Sequence, residues 1–301
     1  MTAQRRVCSM CGGDLGGEVF PFSTRFNGEL FSYRQCTSCR SVIVSPVPSA
    51  ETFARMYAKD NYHDNHYTGV SLAPYQRAAT LLARHLPPGA LVMDYGCGAG
   101  AFLSSLKSAG LKGFGVEFDP DAARQAAAVS GFDTCSVAEL EGLRGLQKFD
   151  AIHLGDVLEH MPDPKEELTR LLQLLRPGGV LFLEGPLETQ ASPVYWAARL
   201  FGAARRAMGR RQPSQGAPTH LIRTHAWAQR RFVDQLAAEF KEQHWRVYET
   251  GWPYAFGGRL QRGIAAAARM ASTVGGALGL ELGNRFEAIY VVQPSAEVAR
   301  S

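Results

Sequence analysis

The chain has 301 residues, of which 46% are hydrophobic and 20% charged, with a formal net charge of +4. Such a length and balance belong to a globular protein of one large domain or two, and the charge is too mild to argue for a nucleic-acid partner. The opening MTAQRRVCSM lacks the apolar core of a signal peptide, and no charge-free run reaches the roughly 18 residues of a membrane span, so the cytoplasm is the expected location.

In a reducing compartment six cysteines point to metal or thiol chemistry rather than disulfides. Cys8, Cys11, Cys36 and Cys39 form two C-x-x-C pairs. Two such pairs can complete a tetrahedral thiolate site, and the segment EVFPFSTRFNGELFSYRQ between them reads as hairpin material too small to bury its own core. A structural zinc ion would hold it together. A redox role fits less well, because neither pair opens a βαβ unit. Gly12 follows the first pair, whereas Arg40 stands after the second, where a glycine is usual. Residues 1–45 are therefore read as a zinc ribbon, and 46–74, with SPVPSAETFARMYAKDNYH, as a proline-marked linker that enters an approach helix.

From residue 75 to 301 the pattern alternates strand and helix, as a parallel sheet requires. Strands are expected at 90–95, 112–117, 132–135, 149–155, 178–184, 244–250 and 286–293. FLSSLKSAG, PDAARQAAAVS, PKEELTRLLQLL and AWAQRRFVDQLAAEF lie between them as helices, with insert or lid segments near 190–220 and 252–284. GIAAAARMASTVGGALGL is biased toward small residues.

LVMDYGCGAG, residues 91–100, places Gly96, Gly98 and Gly100 on a strand-to-helix turn beside Asp94. Gly96, Gly98 and Ala101 also satisfy the spacing of a dinucleotide cradle. A carboxylate two residues before the first glycine would repel a pyrophosphate, however, and would welcome the sulfonium and ammonium groups of S-adenosylmethionine. Glu117 ends the next strand, where an acid can accept both ribose hydroxyl protons of a nucleoside. Glu139, in CSVAEL, is where an acidic adenine contact would fall.

VMDYGCGAG, GVEFDP, FDAIHLGDVLEHMPDP and LLRPGGVLFLEGP, in this order, resemble the class I S-adenosylmethionine-dependent methyltransferases over roughly residues 75 to 190. The cysteine-bearing N-terminus resembles the zinc ribbon fused to a branch that modifies sugars, glycans or other small metabolites. The resemblance implies an α/β, Rossmann-like seven-stranded sheet behind the ribbon. It assigns Asp94, Gly96, Gly98 and Gly100 to the methionine end of the cofactor, Glu117 to the ribose, and Asp156 with Val157 to the wall beside the sulfonium. APTHLIRTHAW partly matches that branch's P-x-H-L segment, with IRTH where an aromatic commonly appears.

Methyl transfer to a hydroxyl calls for a base near neutral pH, and two histidines fall where one crevice would collect them. His220 is the expected base by resemblance, with His160 holding the local helix or orienting the acceptor. Val194–Gln212 places Trp196, Leu200 and Phe201 among Arg199, Arg205, Arg206, Arg210 and Arg211. It reads as a lid over an anionic or phosphate-containing acceptor, a peripheral membrane contact, or a solvated face. Tyr57, Tyr62 and Tyr67 are candidates to close the other side of the site. An RNA methyltransferase is the rival enzyme, against which residues 1–50 balance Arg5, Arg6, Arg25, Arg34 and Arg40 with Asp14, Glu18 and Glu29. The other rivals are a non-catalytic protein that keeps the fold and an NAD-dependent oxidoreductase.

Overall fold

The structure is a computed structural model that describes residues 5–57, 71–143, 148–209, 212–236, 238–252, 254–256 and 258–293. Tyr62, Tyr67, Arg210 and Arg211 lie outside the described residues, as does the side chain of Arg205.

Strand β1 (Leu15–Phe26) turns into β2 (Glu29–Cys36) through Asn27 and Gly28, both at positive φ, and Phe26 faces Glu29 in register. An Asn-Gly pair adopts this two-residue turn because both residues tolerate the left-handed conformation that matches strand twist. β3 (Val42–Ser45) adds antiparallel to β2, and α1 (Ala50–Tyr57) follows.

The larger sheet starts after α2 (Ala73–Ala83) with β4 (Leu91–Tyr95), α3 (Ala101–Ser108), β5 (Lys112–Glu117), α4 (Pro120–Ser130), β6 (Thr134–Ser136) and α5 (Val137–Leu140). It continues with β7 (Phe149–Gly155), α6 (Pro164–Leu172), β8 (Leu175–Pro186), α7 (Pro193–Ala207), β9 (Ser214–Gln215), β10 (Ile222–Arg223), α8 (Ala226–Val233), β11 (Phe240–Tyr248), α9 (Arg259–Ala277) and β12 (Arg285–Val292). Helix starts follow local signals: Asp119 caps α4 ahead of Pro120, and Asp163 caps α6 ahead of Pro164. β4, β7 and β8 are buried along most of their length because helices cover both faces, which is why they read as continuous apolar runs.

The strand order is β11-β12-β8-β7-β4-β5-β6, a seven-stranded Rossmann-like sheet. β6, β5, β4, β7 and β8 run parallel, whereas β12 joins β8 antiparallel and β11 joins β12 antiparallel. The all-parallel expectation is corrected at these two strands. Apolar periodicity reveals that a strand exists but not the direction in which the chain re-enters the sheet. From β4 the chain winds outward through β5 and β6, then returns to the other side of β4 as β7. The carboxyl ends of β4, β5 and β7 thus border the switch point where α/β sheets bind ligands.

A second sheet has the order β10-β3-β2-β1-β9, so the strands of the first 45 residues take both edge partners from residues 214–223. Val44 N donates to the Leu221 carbonyl, and His225 Nε2 bonds the Cys39 carbonyl at 2.9 Å. Phe31 and Ile43 share one buried core with Leu221, Ile222, Met93 and Phe149. The ribbon strands are packed into the main body through the segment that carries His220.

Candidate active site

The four N-terminal cysteines converge. Cys8 and Cys39 sulfurs are 3.6 Å apart, as are those of Cys11 and Cys36, and all four lie within 4.8 Å of one another. Tetrahedral zinc with Zn–S bonds of about 2.3 Å requires sulfurs about 3.8 Å apart, so the donor set fits the ion. Arg40 adopts φ +62 where Gly12 adopts φ +72, so the second turn reaches the left-handed conformation without its usual glycine.

A cavity of about 370 Å³ opens at the switch point. It is lined by Gly96, Glu117, Asp156, Val157 and His160, with Tyr57 and Phe118 among the aromatic walls. Gly96 has φ +80, and a Cβ there would sit 2.5 Å from Val157 Cγ2, so only glycine lets the turn lie under the residue after β7. Gly98 and Gly100 also have positive φ, and Gly100 opens α3. Glu117 is buried at the end of β5, where its carboxylate accepts from Gly98 N at 2.8 Å and Phe118 N at 2.6 Å. Those bonds aim it, and a carboxylate retains lone pairs for further donors. Asp156 sits at φ +56 and pairs with Arg285 at 2.8 Å. Arg285 opens β12, far from Asp156 in sequence, so no motif announced it.

Asp94 does not line the cavity. It faces His153 of β7, whose Nδ1 lies 2.8 Å from Asp94 Oδ1 and whose Nε2 lies 3.1 Å from Glu184 Oε2 on β8. Phe102 stacks on the imidazole with centroids 3.8 Å apart. Burial alone would lower the His153 pKa, but hydrogen bonds and charge from the two carboxylates raise it to about 9. The ring is thus an imidazolium donating to both acids. His153 and Glu184 were invisible as a site in sequence, because each is a single polar residue inside an apolar strand.

The two expected histidines do come together. His160 and His220 are in T-shaped contact with centroids 4.9 Å apart. His160 Nδ1 lies 2.7 Å from the Thr219 carbonyl and 3.1 Å from the Tyr57 hydroxyl, which also donates to that carbonyl. Burial and the charge of His220 lower the His160 pKa to about 4, so its ring stays neutral. His220 Nδ1 lies 3.2 Å from Glu188, which also faces Arg223 at 3.2 Å. Burial works against the charged form of His220, yet the bond and charge of Glu188 raise its pKa above the ordinary value. Glu159, buried beside the pair, is raised to about 8 by burial and by Asp156. Glu159 and Glu188 escaped the sequence reading because isolated acids carry no spacing signal.

Two expectations meet other arrangements. Glu139 closes a capping box with Ser136 at the start of α5, its Oε2 accepting from Ser136 N and Oγ. α7 contributes no lining residue to the cavity among the described residues. It packs on β1, with Phe201 edge-on to Phe20 and Arg206 over the Phe22 ring, while Arg199 bonds the Tyr195 hydroxyl.

A glycine turn and an acidic strand end, meeting at the switch point of this strand order, define the class I S-adenosylmethionine-dependent methyltransferase fold. A family model described as a methyltransferase domain matches residues 64–250, and the chain belongs to that family. It is 34% identical over 127 residues to a ubiquinone biosynthesis O-methyltransferase of Xanthomonas axonopodis pv. citri, covering 40% of this chain and 52% of that protein. A Xanthomonas campestris pv. campestris protein of the same name is 32% identical over the same length, with the same coverage. The chain thus spans about half the length of the curated relatives it matches. Solved structures similar to it include a methyltransferase from Archaeoglobus fulgidus, at TM-score 0.49 and 17% identity, over 73% of this chain and 94% of that one. Another is the magnesium protoporphyrin IX methyltransferase of Synechocystis with bound S-adenosylhomocysteine, at TM-score 0.46 and 16% identity, over 73% and 82%.

The imidazolium generates a test. A pKa raised from about 6.5 in the unfolded chain to about 9 contributes stability that is complete below pH 6.5 and is lost as pH rises through 9. Denaturant unfolding of wild type and His153→Gln between pH 6 and 10 should show their stability difference shrinking by on the order of 3 kcal/mol across that window. A difference independent of pH would mean that the ring is neutral.

Proposed function

We propose that the chain transfers the methyl group of S-adenosylmethionine to a hydroxyl oxygen of a small-molecule acceptor such as a sugar, glycan or other metabolite. The observation that carries this reading is the meeting of Gly96, Glu117, Asp156, Val157 and His160 on one cavity in a chain of the methyltransferase-domain family. The O-methyltransferase relatives support oxygen as the acceptor atom.

When bound, S-adenosylmethionine supplies an electrophilic methyl group, and the chain has to bind, align and remove one proton. Gly96, Gly98 and Gly100 bring bare backbone to the methionine end, with Asp94 held beneath them by His153. Glu117 receives the ribose hydroxyls, and Asp156 with Val157 walls the sulfonium side. His220 is the base: Glu188 at Nδ1 leaves Nε2 as the proton acceptor, as a carboxylate does for a catalytic imidazole. His160 is too weakly basic for that task and acts as a positioning residue, tied to Thr219 and Tyr57. The cavity's own cation, Arg170, faces Glu166 and Glu167, so an anionic group on the acceptor would lie outside the cavity.

Glu117→Ala should weaken S-adenosylhomocysteine binding by at least about 1.5 kcal/mol, measured by calorimetry. Unchanged affinity would remove Glu117 from the ribose site.

His220→Ala should lower kcat at least about a hundredfold while leaving cofactor affinity nearly intact. Because the neutral imidazole is the base and Glu188 raises its pKa, the acid limb of the kcat–pH profile should lie above about pH 6.5. Glu188→Gln removes the charge that stabilises the imidazolium, so the limb should move to lower pH. A limb that stays in place would uncouple Glu188 from the base.

We further propose that Cys8, Cys11, Cys36 and Cys39 hold one structural zinc with no open coordination position. The sulfur separations support it, and a closed thiolate site favours folding over chemistry. Elemental analysis of protein from metal-replete cells should give close to one equivalent, and less than half would count against the site.

A further inference from the structure

α9 is packed inside out. Its buried residues are Ala265, Ala268 and Gly275, which are all small, while its large apolar side chains face solvent. Leu260 is 80% exposed and Leu278, just past its end, 72%, with Ile264, Met270 and Val274 also exposed between them. At about 100° per residue these five form one continuous stripe along the helix. A helix that folds only to complete its own core does the reverse, so the stripe is shaped for something outside the described fold.

Charge indicates the occupant. RLQRGIAAAARMASTVGGA contains no acid; Arg259 borders the stripe, and Arg262 and Arg269 lie on the side of the helix away from it. Arg269 bonds the Thr250 carbonyl, while no ion pair holds Arg259 or Arg262 among the described residues. Trp252, exposed just ahead of the helix, is a residue type that favours the water–lipid boundary. An anionic lipid surface answers both features, because the apolar stripe sinks to the acyl boundary while the guanidinium groups remain at the headgroups. No described helix is long and apolar enough to cross a membrane, so α9 would lie along the surface.

We propose that the outward stripe of α9 docks the protein on an anionic lipid bilayer. The inference is independent of the methyl acceptor and of the histidine chemistry. Flotation of the full chain with vesicles of one part phosphatidylglycerol to three parts phosphatidylcholine should carry the protein upward at low salt. Pure phosphatidylcholine should bind it much less, and added salt should release it. Leu260→Glu with Val274→Glu should lower the partition coefficient at least about tenfold, since each removes an apolar anchor and adds repulsion. S-adenosylhomocysteine affinity should be unchanged in that variant, showing that the fold is intact. Three outcomes would overturn the proposal: no flotation of wild type with the anionic vesicles, equal flotation of wild type and variant, or concentration-dependent self-association of wild type that the same substitutions abolish.

Discussion

The centre of the molecule rests on one buried interaction, the imidazolium of His153 held between Asp94 and Glu184. It ties β4, β7 and β8 together by side chains at the level where the main chain leaves the sheet for the glycine turn. A buried carboxylate without a partner would be costly, and two such acids side by side more so. One positive ring satisfies both, and Phe102 of α3 seals it from above. The acid at the end of β4 is thereby held in place beneath the glycine turn.

From this centre the site is assembled by elements distant in sequence. The ends of β4, β5 and β7 line the cavity, while His160 and His220 come from the turn after β7 and from the segment just before β10. That segment is anchored outside the main sheet: Ile222 pairs with Ile43, and His225 bonds the carbonyl of Cys39. The N-terminal strands thus border the edge from which His220 reaches His160, and Arg5 reaches across to the carbonyl of Pro162 beside the cavity.

Much of this was legible in the amino-acid sequence. The seven strands of the main sheet, the glycine turn, Glu117 at the end of its strand, and the two C-x-x-C pairs all follow from local signals: apolar period, Gly and Pro punctuation, and thiol spacing. These signals are local because the physics behind them is local. A positive φ, a helix cap or a two-residue turn involves only near neighbours, and the Asn27-Gly28 hairpin is a clean instance. Even the proximity of His160 and His220 was reachable, since both follow strands that end at one crevice.

Tertiary structure decided the rest, because the missing information lay in pairs far apart in the chain. Asp156 and Arg285, His153 and Glu184, and His220 and Glu188 are single residues without a periodic signature, and each acquires meaning only from the partner that folding brings beside it. The same holds for direction, since β11 and β12 enter antiparallel, and the way the chain re-enters the sheet is not written in either strand alone. Glu139, expected near the adenine, also caps a helix, a contact with Ser136 N that only the fold revealed. The sequence by itself determined the class of fold, the glycine turn and the clustered cysteines, because each is written in short-range spacing. Which charges face one another, and hence which histidine is neutral and which is held by a carboxylate, was decided only when burial removed water and left each group to its nearest partner.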